Sequence, residues 1–491
     1  MATPLNGFNV QSAEFAVAPE DCRLLFDVTG MDSNGARVTD HEIMDTLLAL
    51  IDRAGDTIVL DMFLVNKYMG ELGSRGDMRD TTGELVDALV RKKRHSPNTF
   101  ILFITDPINS SYAERCPAAL QPLTDAGGSV VLTDLAQLPD SNHLYSPFYR
   151  ALRPLGKRLP PLQTRVFPNP FHQGGPRVSL GQFLRLLNFK ANHRKTAVIR
   201  DRDGQWRALI TSANPHTASS AHGNVGAVLK AGPVMDILIG EYRVAHSSIL
   251  GDPKCCFGSL TAPELVRVLE KRLAEIPASA PRPIEGDSVR VSYMTEDRIG
   301  DALNRMLKDS GEGDTIQMMM FYLSDPAVVQ HLKGAAKRGA RIRLLLDPNR
   351  DAFGHEKHGI PNRVIGTQLH RWASKTSDID VELRWFDTHG EQAHFKLLRI
   401  VNWASGRDSI VLGSANFTTR NLRGYNLESA LRIEDAGDLG RHVGEVFTKL
   451  WQNREGLTYT VPAQDYTLNG LQFLRGRMRA AFGNTTGMCT Y

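Results

Sequence analysis

Four residue types recur in the same order in the two halves of the chain. His193-Arg194-Lys195 and Ser212-Ala213-Asn214 in the first half return as His394-Phe395-Lys396 and Ser414-Ala415-Asn416 in the second. The step from histidine to asparagine is 21 residues in the first copy and 22 in the second. An imidazole, an ammonium, a hydroxyl and an amide, each supplied twice at matched spacing, suit a symmetric pocket for one phosphate group. A neutral imidazole is a good nucleophile toward phosphorus, and its unperturbed pKa of about 6.5 lets a second imidazole carry the proton. Ammonium groups and amide donors, fixed in advance, stabilise the charge that a phosphodiester in flight spreads over its non-bridging oxygens. With two lysines and two asparagines supplied, neither a metal nor a cofactor is required, and the sequence shows no clustered Asp, Glu, His or Cys ligands.

The tripeptide alone proves little, because exposed His and Lys are ordinary surface residues. His-x-Lys starts at His193, His331, His355 and His394, and only the first and last lead through two apolar stretches to Ser-Ala-Asn. In a strand, residues i and i+2 share a face, so His193 and Lys195 point the same way, as do His394 and Lys396. Asp203-Gly204 marks a tight turn, and the return strand Trp206 to Thr211 brings Ser212 and Asn214 back beside the first histidine. The longer turn Asn402 to Asp408 does the same for Ser414 and Asn416.

The elements that position these motifs are duplicated too. Gly55-Asp56-Thr57-Ile58 opens a strand running to Val65, after a helical pattern with Ile43, Leu47, Leu50 and Ile51 on one face. Gly313-Asp314-Thr315-Ile316 does the same before Gln317 to Leu323, after Ile299, Leu303 and Met306. Each half then shows a helix and a strand: Thr82 to Arg94 and Thr99 to Thr105, then Ala327 to Arg338 and Arg341 to Leu346. Those strands lead into Asp106-Pro107 and Asp347-Pro348. Helices alternating with near-continuous apolar strands predict two homologous α/β domains, each a sheet between helical layers. The proline-rich stretch Ile276 to Pro283 reads as linker, giving domains over 1–275 and 289–491 with 276–288 between. Residues 139–181, rich in Pro, Arg and aromatics, have no counterpart and read as an insertion, either a solvated loop or a substrate-facing one. The basic stretch Leu471 to Phe482 is expected to pack on the core rather than to meet a membrane.

Composition sets limits. The 491 residues are 42% hydrophobic and 23% charged, an ordinary globular balance. A net charge of +4 permits an anionic substrate or surface but argues against a dense nucleic-acid groove. Cys22, Cys116, Cys255, Cys256 and Cys489 show no metal-ligand spacing and read as free thiols of a reducing compartment. Met1 to Pro19 has no basic segment followed by an apolar run, and no apolar stretch reaches the roughly 20 residues that span a bilayer. The expectation is a cytoplasmic protein whose contact with the inner face of the membrane is peripheral.

The paired motif resembles the phospholipase D superfamily, whose signature is His-x-Lys, a downstream Asp and a Gly/Ser-rich segment ending in Asn. Gly413-Ser414-Ala415-Asn416-Phe417 and Asn426-x-Glu428 match the family's second motif, and Asn192-His193-Arg194-Lys195 is most similar to bacterial cardiolipin synthases and related phosphatidyltransferases. The resemblance implies two phospholipase D-like domains with pseudo-twofold symmetry and one shared active site. It implies a phosphodiesterase or transphosphatidylase acting on phospholipids through a phosphohistidine, with water or an alcohol as acceptor. A nuclease or tyrosyl-DNA phosphodiesterase-like enzyme is the alternative within the superfamily. Catalysis would fall to His193, Lys195, Asn214, His394, Lys396 and Asn416, with Ser212, Asp201, Ser414 and Glu428 orienting. His193 would be the nucleophile and His394 the proton carrier, with Glu428 available to hold an imidazole for proton transfer.

The sequence also departs from the family pattern. Arg200 and Val401 stand where the motif aspartate belongs, with Asp201 and Asn402 one position later. Thr211 replaces a glycine, and matching Asn224 to Asn426 puts Gly226 in the place of Glu428.

Overall fold

In the computed structural model, residues 8–68, 78–142, 145–148, 150–151, 164–169, 177–186, 189–276, 288–352, 355–356 and 358–486 are described. Linker residues 277–287, much of the 139–181 insertion and Cys489 lie outside them. The other four cysteines are free thiols.

Two large sheets repeat one strand order. The first runs Cys256–Gly258, Ser129–Leu132, Phe100–Thr105, Ala54–Met62, Lys195–Asp201, Trp206–Thr211, Asn224–Leu229 and Cys22–Asp27. The second runs Thr460–Pro462, Val381–Phe386, Arg341–Leu346, Thr315–Met320, Lys396–Asn402, Arg407–Gly413, Ser429–Glu434 and Val289–Thr295. In each, three strands pair in parallel and the strand beginning at the motif lysine pairs antiparallel to the first of them. The two hairpins therefore sit in equivalent places.

Side chains alternate between the faces of these strands, and the two faces feed different cores. Ile58 and Leu60 pack with Leu47, Ile51, Leu85 and Leu89 of the helices Glu42–Arg53 and Thr81–His95. Leu344 and Leu346 pack likewise with Leu303 and Leu332 of Asp297–Lys308 and Pro326–Lys337. The opposite faces, carrying Val59, Val198 and Ile210 from one sheet and Leu345, Leu397 and Ile410 from the other, meet in one core that belongs to both halves. At roughly 1.5–3 kcal/mol for each fully buried aliphatic side chain, that shared layer holds the halves in a fixed relation.

Strand Phe15–Val17 crosses over to pair antiparallel with Val289–Thr295, at the edge of the second sheet. The N-terminus thus ties the second half to the first.

Candidate active site

The segments that enter the two motif strands lie against each other across the pseudo-twofold. Asn192 bridges in parallel to Leu427, and Ala393 bridges in the same sense to Gly223. Backbone bonds run from His193 N to Leu427 O (2.8 Å), from Leu427 N to Ala191 O (3.0 Å) and from Gly223 N to Gln392 O (2.9 Å). Gly223 is required by this approach, since a Cβ there would stand 2.5 Å from the Phe395 ring. The repeated Asp-Pro pairs explain themselves here. Asp106 Oδ2 accepts from Asn192 N and Asp347 Oδ2 accepts from Ala393 N, each at 2.7 Å, so each aspartate fixes the residue before a motif histidine. Burial pushes the Asp106 carboxyl up to about 7, against the pull of the Ile108 and Asn192 amides and of Lys195.

This crossing brings the histidines face to edge, with ring centroids 6.5 Å apart at 69°. Lys195 Nζ donates to His193 O at 2.7 Å, and Lys396 Nζ to His394 O at 2.8 Å. The residues just beyond the first parallel strands complete the symmetry. Phe63 packs on His193 and under Lys195, and Phe321 does the same for His394 and Lys396. All four charged or ionisable groups are buried. Burial drives Lys195 down to about 7, opposed by Glu428, and drives Lys396 well below its usual range, reinforced by the charge of Lys195. Two buried lysines whose charged forms are disfavoured in this way would be recharged by an anion placed between the histidines.

The histidines differ in what holds them. His193 Nδ1 lies 3.0 Å from Glu428 Oε2, a carboxylate supplied by the other half. The same oxygen accepts the Ser414 hydroxyl at 2.5 Å, and Asn421 donates to Oε1. Burial works against the Glu428 carboxylate, but His193, Lys195 and Ser414 outweigh it and hold its pKa below the ordinary value. His394 Nδ1 instead lies 3.0 Å from Ser212 O and 3.3 Å from Asn224 Oδ1. Ser212 Oγ in turn donates to Asn224 Oδ1 at 3.1 Å. Burial lowers both imidazoles, His193 to about 4 with Glu428 opposing, and His394 well below its usual value with Lys396 adding to the effect.

This geometry corrects the alignment of the two halves. Thr211 pairs with Gly226 and Gly413 with Ala430, while Ser212 N bonds Val225 O and Ser414 N bonds Ser429 O. Asn224 is therefore the counterpart of Glu428, and His222 that of Asn426. The connection is two residues longer in the second half, where Glu428 follows Asn416 by 12 and Asn224 follows Asn214 by 10. Equal spacing to an asparagine in both copies concealed the offset.

Asp201 is also corrected. It closes the far end of the seven-residue strand Lys195–Asp201, where it accepts from Asp203 N, Gln205 N and Arg207 Nε at 2.9–3.0 Å. A strand rises about 3.3 Å per residue, so Asp201 is remote from the imidazoles and holds the hairpin turn. Asn402 caps the equivalent turn through Ala404 N and Ser405 N. Asn214 and Asn416 keep matching positions beyond the serines, each with a buried side-chain oxygen that has no hydrogen-bond partner among the described residues.

Three contributors had no clear signal in the sequence. His222 stands 6.0 Å from the His394 ring, with Nδ1 accepting from Gln392 N at 3.2 Å. Glu296, at φ +49°, accepts from Arg194 Nη2 at 2.8 Å and from Glu428 N at 3.1 Å. Arg194, the middle residue of the first motif, is fully buried between Glu296 and Glu241, so it joins the halves rather than facing a ligand. The second motif places Phe395 there, stacked on Phe386.

Residues 303–451 match the family model described as "Cardiolipin synthase, PLD-like domain". The whole chain superposes on phosphatidylserine synthase from Haemophilus influenzae Rd KW20 with a TM-score of 0.59 and 13% identity, covering 99% of this chain and 98% of that one. Residues 303–451 are thus similar to a PLD-like domain, and the whole chain shares the fold of that phosphatidylserine synthase. Weaker alignments reach polyphosphate kinase from Porphyromonas gingivalis (TM-score 0.44, 12% identity, 94% of this chain and 56% of that one). They also reach the phospholipase D family member Nuc from Salmonella typhimurium (0.27, 17%, 35% of this chain and 97% of that one). At those scores neither supports a structural argument. No curated protein matches the sequence.

Proposed function

We propose that this protein is a phospholipid phosphodiesterase or phosphatidyltransferase working through a phosphohistidine at the shared site. The observation that carries the reading is the pair of buried His-Lys units, imidazoles 6.5 Å apart, built symmetrically from both halves. One tetrahedral phosphorus between two imidazoles is the geometry of in-line displacement. The lysines, with the amides of Asn214 and Asn416, would hold the non-bridging oxygens. A lipid substrate is supported by the cardiolipin synthase-type match over residues 303–451.

The hydrogen bonds favour one division of labour. Ser212 O can only accept, so His394 carries its hydrogen on Nδ1 and keeps a lone pair on Nε2. Held neutral by burial and by partners that carry no charge, His394 is the nucleophile. Its Nε2 attacks phosphorus as the bond to the leaving alcohol breaks. His193, whose protonated form is favoured by the Glu428 carboxylate, gives that alcohol its proton. Neutral His193 then takes a proton from water or an acceptor alcohol, whose oxygen attacks phosphorus and releases His394. This reverses the roles implied by family resemblance, because Glu428 stands behind His193.

Incubation with phosphatidylglycerol, phosphatidylethanolamine and a nucleotide diester, with products resolved by mass, tests the substrate class. Turnover of a phospholipid is expected, and turnover of the nucleotide diester alone would favour a nuclease. Adduct mapping tests the roles. With a good leaving group, His193→Ala should accumulate a phosphoryl adduct on His394, and an adduct found on His193 of the unmodified enzyme would reverse them.

A further inference from the structure

Helix Gly470–Thr486 is amphipathic the wrong way round for a helix serving only to cover a core. At 3.6 residues per turn, Phe473, Gly476, Ala480 and Gly483 share one arc of about 80°, and Leu471, Leu474, Met478 and Phe482 share the opposite one. The first arc faces the protein. Gly476 and Gly483 are buried there, and a Cβ at Gly476 would come within 2.7 Å of Val364. The second arc faces out, with Leu471, Leu474, Met478 and Phe482 exposed by 59%, 55%, 57% and 64%. Small residues thus seat the helix while its large apolar ones are turned to solvent. The stretch packs on the protein as expected, but through its small residues and Phe473.

Charge says what the outward face fits. The helix has no acidic residue and three arginines, Arg475, Arg477 and Arg479. On the helical wheel, Arg475 and Arg479 lie on one side of the apolar stripe and Arg477 on the other. Arg475 and Arg479 form no ion pair among the described residues. An apolar stripe flanked by arginines, whose stems can lie along hydrocarbon while the guanidinium reaches phosphate, suits the surface of an anionic bilayer.

The position of the helix adds to this. Arg371 donates to Leu468 O and stacks on Phe473, whereas Gly476 lies against Val364, so the helix runs back along Asn362–Ala373 toward its N-terminus. That N-terminus is at the active-site end, where Asn362 Nδ2 donates to Phe321 O and Asp347 O, next to the residues that hold His394. We propose that helix Gly470–Thr486 seats the protein on anionic membrane through Leu471, Leu474, Met478 and Phe482, with Arg475, Arg477 and Arg479 at phosphate level. The proposal deepens the lipid reading but has its own readout.

The test is co-sedimentation of the full chain with vesicles of phosphatidylcholine, with and without one-third phosphatidylglycerol. Comparison is with L474E/M478E and R475E/R479E, and turnover of a water-soluble diester and far-UV circular dichroism serve as controls. The unmodified protein should bind the anionic vesicles, more weakly as salt rises. Each double variant should lose at least ~10-fold in partitioning with the controls unchanged. Failure of the unmodified protein to bind, or undiminished binding by both variants, would overturn the proposal. So would a dimer in light scattering that L474E/M478E dissociates, without any vesicle binding. Helix-dependent binding with no turnover of any phospholipid would leave this inference standing and defeat the proposed substrate.

Discussion

Replacing Glu428 with glutamine removes one buried charge and almost no volume. In the structure, that charge lies 3.0 Å from His193 Nδ1, fully buried. A charge-assisted hydrogen bond is worth roughly 1.5–3 kcal/mol against roughly 0.5–1.5 for a neutral one, so the imidazolium loses about 1–2 kcal/mol of support. At 1.36 kcal/mol per pKa unit, the protonated fraction of His193 falls ~5- to 30-fold above its pKa. If His193 is the general acid, that loss appears in turnover of a diester with a poor leaving group such as an alkyl alcohol. The alkaline limb of kcat/KM should move down by about one pH unit, because the proton leaves His193 more easily. A nitrophenyl diester, whose leaving group needs no proton, should be cleaved at close to the unmodified rate. Steady-state kinetics on both substrates across pH measures this directly. Equal losses on both substrates with an unmoved alkaline limb would refute the assignment, because Glu428 would then serve the attack on phosphorus or the fold.

Because Lys195 is held near 7 and Lys396 well below its usual range, binding inorganic phosphate at about pH 8 should draw protons from solution. Calorimetry in buffers of different ionisation enthalpy would show this, and buffer-independent heats would mean that the lysines are already charged. Turnover should persist in excess chelator, and loss of activity restored by a divalent ion would contradict a mechanism resting on lysine and asparagine. Asp27, buried with its pKa raised to about 8, binds more protons folded than unfolded, so its share of stability is lost as pH rises. That loss should run from about pH 4 through about pH 8 at up to ~1.4 kcal/mol per pH unit. Asp27→Asn, which keeps the acceptor for Ile43 N, should flatten that fall in urea unfolding at both ends of the window.

The His-x-Lys and Ser-Ala-Asn segments, the repeated Gly-Asp-Thr-Ile strands and the repeated Asp-Pro pairs were all legible in the sequence. They are local patterns, set by strand periodicity and turn chemistry, and local patterns survive in a linear string. They predicted two α/β repeats and a site that each half supplies once. Strand Arg341–Leu346 and the return strand Trp206–Thr211 have the bounds their apolar runs implied.

What the string could not carry was which residue of one half meets which residue of the other. Counting from Asn214 and Asn416 aligned Asn224 with Asn426, whereas strand register aligned it with Glu428, because loop residues between strands can be added without moving the ladder. The pairing of Glu428 with His193, the burial of Arg194 between Glu296 and Glu241, and the crossing of Phe15–Val17 into the second sheet are all contacts between distant parts of the chain. Asp201 shows the converse, a charge one position off the motif spacing that lies at the far end of the seven-residue strand, where it holds the hairpin turn instead of the chemistry. The sequence by itself determined that two matching His-x-Lys and Ser-Ala-Asn half-sites exist, since each is built from neighbours in the chain. Only the packing of the two sheets decided that they share one pocket, and which histidine has a carboxylate behind it, since both depend on a core to which neither half contributes alone.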